Sequence, residues 1–116
     1  MDTLDGYDSR TTVNKKDINM SDLSALTAAT GDEFAMFTKG QERLIIRGNS
    51  NRVNVTVKYA KELNEQGYRW TGHTHPGNGI NVKSPSDGDV MILEQFDQKH
   101  SVIYDWSGKY EKFGKY

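Results

Sequence analysis

The sequence predicts one small domain of mixed α/β or α+β class, with a central mixed β-sheet flanked by helices. Its 116 residues suffice for one domain but not for two separate cores. Short runs of alternating apolar and polar residues, which are typical of strands, take turns along the chain with stretches whose apolar residues recur at helical spacing. This alternation of the two patterns is what indicates the mixed class.

The composition excludes several kinds of function. With 15 basic and 16 acidic side chains the net charge is −1, which predicts neither a nucleic-acid nor a membrane partner. The absence of cysteine excludes a disulfide framework, a thiolate zinc site and a cysteine nucleophile. The longest aliphatic run, residues 90–93, is far too short to cross a bilayer, and the amino end has no apolar signal core. We therefore expect a soluble protein, either cytoplasmic or delivered as an effector, without a signal peptide or transmembrane segment.

The first twenty residues are polar, and their charges follow no period. Residues 1–20 are therefore expected to form a loosely held arm, or the stub of a linker from a longer chain. The folded domain is expected to span residues 21–116.

The first half of the domain is predicted to hold two helices and a hairpin. The expected elements are a helix over about 22–29, strands at 33–38 and 43–47 joined by a turn at 39–41, and a helix over at least 59–65. Ser21 can cap the first helix and Gly31 can end it, while Gly67 can end the second. The valines of residues 53–57 fit both a strand and a helix.

The second half is predicted to contain most of the candidate functional residues. The expected elements are a strand at 68–75 closed by Pro76, a loop over 77–84, a helix from Ser86 to about 98, and a hairpin of 101–104 with 110–113 that turns at Ser107-Gly108.

Two of the three histidines, His73 and His75, lie on the predicted strand. Strand side chains alternate between faces, so the two imidazoles project on the same side, about 6–7 Å apart along the backbone. Two imidazoles in this arrangement can share one Zn²⁺. A polar strand end at the protein surface would carry the same pattern.

Ser86 and Asp89 open the following helix. Asp89 begins an apolar stripe with Ile92, Leu93 and Phe96 at helical spacing, so its carboxylate is aimed at the core. A buried carboxylate needs a metal or a partner. The alternative is that Asp89 only completes a capping box with Ser86.

Together, His-x-His-Pro followed by Ser-x-x-Asp at a helix start resembles the JAMM (MPN+, JAB-type) zinc metallopeptidases. The resemblance covers roughly residues 31–104 and implies an MPN-like fold with layers like those of cytidine deaminases. It implies that His73, His75 and Asp89 bind zinc with a water as fourth ligand. It also implies that Glu33 is the general base on that water and that Ser86 stabilises the oxyanion. An ordinary exposed charge at a strand start remains the alternative for Glu33.

The loop before the serine is longer than the family usually has. Ten residues separate His75 from Ser86, whereas the alternative register, Ser84 with Asp87, leaves eight. We favour Ser86 and Asp89 because Asp89 alone falls on the apolar stripe. Extra loop residues cost little closure entropy.

The predicted function is therefore zinc-dependent hydrolysis of a peptide or isopeptide bond. The substrate is expected to be a protein or peptide, with the tail of a ubiquitin-like protein as one candidate. Small size and a linker-like start also resemble the JAMM-type warheads of bacterial toxins and effectors, which an immunity protein neutralises. The rival is a catalytically inert MPN-like module that binds a partner protein. A zinc deaminase would need cysteines that this chain lacks.

Overall fold

A computed structural model describes residues 4–79 and 81–114 of the chain. The elements are β1 (Arg10–Asn14), α1 (Met20–Thr30), β2 (Phe34–Lys39), β3 (Glu42–Arg47), α2 (Val57–Glu65), β4 (Arg69–Thr74), α3 (Asp87–Leu93), β5 (His100–Tyr104) and β6 (Tyr110–Gly114), with short 3-10 turns at Lys15–Asp17 and Asn81–Lys83. In the described part of the chain the strands form one sheet in the order β1-β3-β2-β4-β5-β6. The β4–β5 pair is parallel and the other pairs are antiparallel. The predicted small α+β domain with a mixed sheet and flanking helices is confirmed.

The helices cover both faces of the sheet. Leu23 of α1 packs with Phe34 and Met36 of β2 on one face. Leu63 of α2 and Leu93 of α3 belong to the cluster on the opposite face. Alternate residues of β2 thus enter opposite cores, which explains why the first four residues of this strand are buried. No helix within the described residues is long and apolar enough to cross a membrane.

The amino-terminal segment differs from its prediction as a loosely held arm. Residues 10–14 form β1, which pairs with β3 along its whole length. Leu4 and Ile18, on either side of this strand, are buried in the core beside α1. The polar composition misleads because β1 is an edge strand, and main-chain pairing rather than apolar side chains holds it in the sheet.

Helix α1 begins earlier than predicted. Its cap is Asn19, not Ser21: the Asn19 side chain accepts from the main-chain N–H of Asp22 at 3.1 Å, and the Asp22 carboxylate accepts from that of Asn19 at 2.8 Å. The reciprocal pair satisfies two main-chain donors that one serine could not. The helix ends as predicted at Gly31, whose φ of 76° is the left-handed conformation that glycine favours.

Helix α3 ends earlier than predicted, at Leu93 rather than near residue 98. The Gln98 side chain instead pairs with the main chain of β4, accepting from Trp70 N–H at 2.7 Å and donating to Trp70 O at 2.8 Å. These contacts need the chain to leave the helix before Gln98, although Phe96 remains buried in the core.

Candidate metal centre

Strand β4 carries His73 and lies between β2 and β5, and His75 follows one residue after the end of the strand. The antiparallel register pairs Ala35 of β2 with His73. Glu33 lies two residues before Ala35, and His75 lies two residues after His73. In an antiparallel pair these two residues therefore lie at the same end and on the same face of the sheet. The Glu33 Oε1 atom is 3.9 Å from His75 Nε2. The register of two strands thus joins residues that are 42 positions apart in the sequence.

The main chain of Glu33 is held from outside the β2–β4 pair. Its N–H donates to Asn49 O at 2.8 Å, and its carbonyl accepts from Gly48 N–H at 2.7 Å. Glu33 itself is 7% exposed. The main chain that carries the Glu33 side chain is therefore held in place close to the histidines.

Asp89 reaches the same place from α3, which lies in the connection between the parallel strands β4 and β5. Its Oδ2 accepts from Ser86 N–H at 2.9 Å, and Ser86 Oγ accepts from Asp89 N–H at 3.0 Å. The same Oδ2 lies 3.2 Å from His73 Nε2 and 3.5 Å from His75 Nε2. Both interpretations made from the sequence are therefore present at once: Asp89 completes a capping box and faces the histidines.

The side chains of Glu33, His73 and His75 form a cluster that can hold a metal ion. Each offers one ligand atom, and these atoms lie within 4.8 Å of one another. The two Nε2 atoms are 3.1 Å apart. With Asp89 Oδ2 close to both of them, four side chains converge on one point.

The hydrogen-bonding state of His75 fits a cation at this point. Its Nδ1 is 2.6 Å from Val82 O, and because a carbonyl oxygen only accepts, this contact assigns the ring hydrogen to Nδ1. When the ring is neutral, its Nε2 lone pair faces the oxygen atoms of Glu33 and Asp89, which are acceptors when ionised. Converging acceptors repel one another unless a proton or a cation lies between them. Two imidazoles, a carboxylate and a carbonyl that orients one ring are typical of zinc sites, so the residues present fit zinc.

Aromatic packing holds His73. Its ring stacks on Trp70 with centroids 4.9 Å apart and planes 17° from parallel. The two are three residues apart and share a face because β4 contains a bulge: Met36 pairs with Gly72, but Phe37 pairs with Trp70. A bulge re-aims side chains in this way. His73 Nδ1 has no hydrogen-bond partner among the described residues, so packing takes over the orienting role that Val82 has for His75.

The two carboxylates differ in proton affinity. Burial raises the pKa of Glu33 to about 7, with Asp89 adding to the shift and His75 opposing it. Burial acts in the same direction on Asp89, but the contacts with His73, His75 and the Ser86 N–H outweigh it and hold the pKa of Asp89 well below its usual range. Asp89 therefore stays ionised, while Glu33 without a cation exchanges a proton near neutral pH. Two neighbouring carboxylates whose pKa values are shifted in opposite directions are typical of acid–base sites.

The pKa values of the two histidines are also shifted in opposite directions. Burial lowers the pKa of His73 despite the charge of Asp89, so this ring is neutral near pH 7. Burial also acts to lower the pKa of His75, but the hydrogen bond to Asp89 and the charge of Glu33 outweigh it and raise the value. His73 is therefore already in the neutral form that binds a metal, whereas His75 must first release the proton that Asp89 and Glu33 stabilise.

The structure brings Ser86 and Asp89, rather than Ser84 and Asp87, to the cluster. Ser86 lines the same cavity as the two histidines, and its hydroxyl hydrogen remains available because Oγ accepts from Asp89 N–H. Ser84 and Asp87 are exposed and line no part of that cavity. His100, the third histidine of the chain, lies on β5 and is not a member of the cluster.

A cavity of about 390 Å³ opens onto the cluster. Besides the polar site residues, its lining includes the segment 51–56 between β3 and α2 and the first residue of α2, Val57. Sequence reasoning missed this segment because its valines fit two patterns, and no local signal relates it to the histidines. The contact of Val82 O with His75 and that of Trp70 with His73 were also missed, because no local signal in the sequence relates these residues to the histidines.

No protein-family model matches this chain, and no curated protein or solved structure is detectably similar to it. The function is therefore argued from the geometry and chemistry of the site.

Proposed function

We propose that this protein is a zinc-dependent hydrolase of a peptide or isopeptide bond. The proposed metal ligands are His73, His75 and Asp89, with Glu33 as the general base and Ser86 as the donor to the oxyanion. The observation that carries the proposal is the convergence of the histidine and carboxylate side chains at a cavity. The mixed sheet with helices on both faces supports an MPN-like arrangement of layers.

The distances support the division between ligand and base. Asp89 Oδ2 is 3.2 and 3.5 Å from the two imidazole Nε2 atoms, whereas Glu33 Oε1 is 3.9 Å from that of His75. Asp89 therefore completes a set of three protein ligands, the number that catalytic zinc sites use while leaving a position open. Zinc bound here would polarise the scissile carbonyl and make water a stronger acid.

Glu33 is placed to move the proton. Its carboxylate is fixed beside the ligand set, in the same cavity, and can accept a proton from the attacking water. As the C–N bond breaks, Glu33 returns that proton to the leaving amine, so that water adds across the bond without a co-reactant. The Ser86 hydroxyl can donate to the oxygen that becomes negative while the carbonyl carbon is tetrahedral.

The proposed substrate is a protein or peptide. A ubiquitin-like tail as the substrate, and an effector role with an immunity partner, follow from the sequence resemblance and remain predictions.

The test combines metal content with cleavage of a defined peptide mixture, read by mass spectrometry. We expect the zinc-loaded protein to cut the mixture and Glu33→Gln to bind about one zinc per chain without cutting. Asp89→Asn should lose the zinc, because an amide oxygen is a poorer zinc ligand than a carboxylate oxygen. Asp87→Asn, on the same helical turn but exposed, is the matched control and should keep both properties.

Two results would contradict this assignment. Turnover unchanged in Glu33→Gln would remove Glu33 from the mechanism. A zinc-loaded protein that leaves every peptide intact would overturn the hydrolase itself.

A further inference from the structure

The cavity at the metal cluster is larger than the reacting groups need. Its volume of about 390 Å³ lies within the range of pockets that hold small ligands, roughly 300–1,000 Å³. A scissile amide and a water molecule occupy only a small part of such a volume. The remaining space is therefore available to another part of the substrate.

The cavity as a whole is lined by more apolar than polar surface, although Arg52 and two asparagines also line it. Three parts of the fold contribute apolar side chains: Phe37 and Trp70 from the sheet, Val53 and Val55 from the segment before α2, and Met91 and Ile92 from α3. We call these six residues the apolar pocket.

The segment before α2 is arranged to supply one of these walls. Along residues 51–56 the exposure alternates, with Val53 and Val55 half-buried against the core and their polar neighbours exposed. Val55 N–H donates to Val53 O at 2.9 Å, which holds the two valines close together. The ambiguous valine pattern is thus neither strand nor helix but an irregular segment whose half-buried valines line the pocket.

The pocket also has an uncovered rim. Met91 is 53% exposed although it lines the cavity. Burial of apolar surface is favourable, so an apolar ligand that covers this rim is stabilised. A charged group there would lose its hydration without gaining an apolar contact.

We propose that the apolar pocket binds a large apolar side chain, of leucine or phenylalanine size, from the substrate residue next to the scissile bond. The proposal rests on the proposed function in making the occupant a part of the substrate. Glycine or alanine at that position would leave the pocket unfilled. The kcat/KM for peptides with leucine or phenylalanine next to the cut bond is therefore expected to exceed that of the alanine peptides at least tenfold.

The first test measures binding without hydrolysis. N-acetyl-leucinamide and N-acetyl-glycinamide are titrated into the ¹⁵N-labelled full chain, and binding is followed by chemical-shift changes. We expect saturable shifts at the pocket residues with the leucine probe and none with the glycine probe. Equal behaviour of the two probes would overturn the proposal.

Two substitutions on α3 supply the matched comparison. Met91 and Val90 are neighbours and both are exposed, but only Met91 lines the cavity. Met91→Glu should weaken binding of the leucine probe at least tenfold, whereas Val90→Glu should change it less than twofold. Val55→Phe, which fills the pocket without adding charge, should weaken it to a similar extent. Equal effects of Met91→Glu and Val90→Glu would contradict the proposal.

The peptide mixture separates failure of this proposal from failure of the proposed function. Cleavage next to large apolar residues supports both. Cleavage without that preference keeps the hydrolase and overturns the specificity. Selective binding of the leucine probe by a zinc-loaded protein that cuts nothing supports the apolar pocket and overturns the hydrolase.

Discussion

Lys83 and Asp105 form a buried ion pair, and we expect its removal to weaken metal binding at the cluster as well as the stability of the fold. Lys83 Nζ donates to Asp105 Oδ2 at 3.2 Å and to Gly79 O at 3.0 Å. The adjacent residue, Val82, supplies the carbonyl that accepts from His75 Nδ1. Lys83 thus anchors the stretch of loop that orients one proposed ligand. We predict that Lys83→Met lowers both the stability of the fold and the affinity for zinc.

The size of the stability loss follows from the partners that remain. Asp105 Oδ1 keeps three donors, which are the Ser107 N–H, the Ser107 hydroxyl and the Lys109 N–H. The Oδ2 atom loses the one donor that the described residues give it, and Asp105 is 0% exposed. Removing one member of a buried pair costs about 3–5 kcal/mol, and the remaining donors place this case near the lower end, at about 3 kcal/mol. Loss of an outer contact to a metal-binding histidine lowers affinity by about 10–100-fold, so we expect zinc binding to weaken about tenfold.

The assay is urea unfolding without zinc, together with zinc titration against a competing chelator. Lys109→Met is the matched control, because Lys109 is exposed and contacts Asp105 only through its main chain. Stability and zinc affinity of Lys83→Met equal to those of Lys109→Met would refute the reasoning. A loss of stability with unchanged zinc affinity would refute the link from Lys83 to His75.

Three further predictions concern the stability of the fold. Burial acts to raise the pKa of Asp105, but hydrogen bonds, that of Ser107 foremost, lower it to about 2. This depressed pKa stabilises the folded state at pH values above about 4, and the contribution of about 2 kcal/mol should be lost as the pH falls toward 2. Urea unfolding at several pH values should show this acid loss, and Asp105→Asn should lack it. Gly72→Ala should destabilise the fold by about 1–3 kcal/mol in the same assay, because a Cβ there would lie 2.7 Å from Val102 Cγ2; an unchanged midpoint would contradict the close packing. Asn19→Ala should cost about 1 kcal/mol through the lost helix cap, whereas Ser21→Ala, which removes no cap, should cost little; equal losses would contradict this assignment of the cap.

Local sequence signals predicted most elements of the fold. A turn at Gly40 and Gln41 separates β2 from β3, within the predicted turn at 39–41, because glycine and polar neighbours interrupt two apolar runs. Gly31 ends α1, and Gly67, with a φ of 98°, follows α2. Each of these features depends on residues close together in the sequence, so the pattern carries the information.

Long-range pairing decided what local signals could not. Strand β1 has too few apolar residues to show a strand pattern, and its place at the sheet edge follows from its pairing with β3. Helix α3 is shorter than its periodicity suggests because Gln98 pairs with the main chain of β4. Neither contact leaves a trace in the spacing of nearby residues.

The same limit applies to the site. The His-x-His and Ser-x-x-Asp spacings identified the residues that the structure brings together, since each spacing sets a face of a strand or a helix turn. The stacking of Trp70 on His73 depends on a bulge that no spacing reveals. The role of Val82 depends on its carbonyl, which is independent of its side chain.

The central claim is tested most directly by the zinc content of the purified protein and of two histidine variants, measured by elemental analysis after zinc loading and removal of excess metal. The account predicts about one zinc per chain, lost in His75→Ala and retained in His100→Ala, since His100 lies outside the cluster. Absence of zinc uptake, or equal zinc in the two variants, would contradict the metal centre.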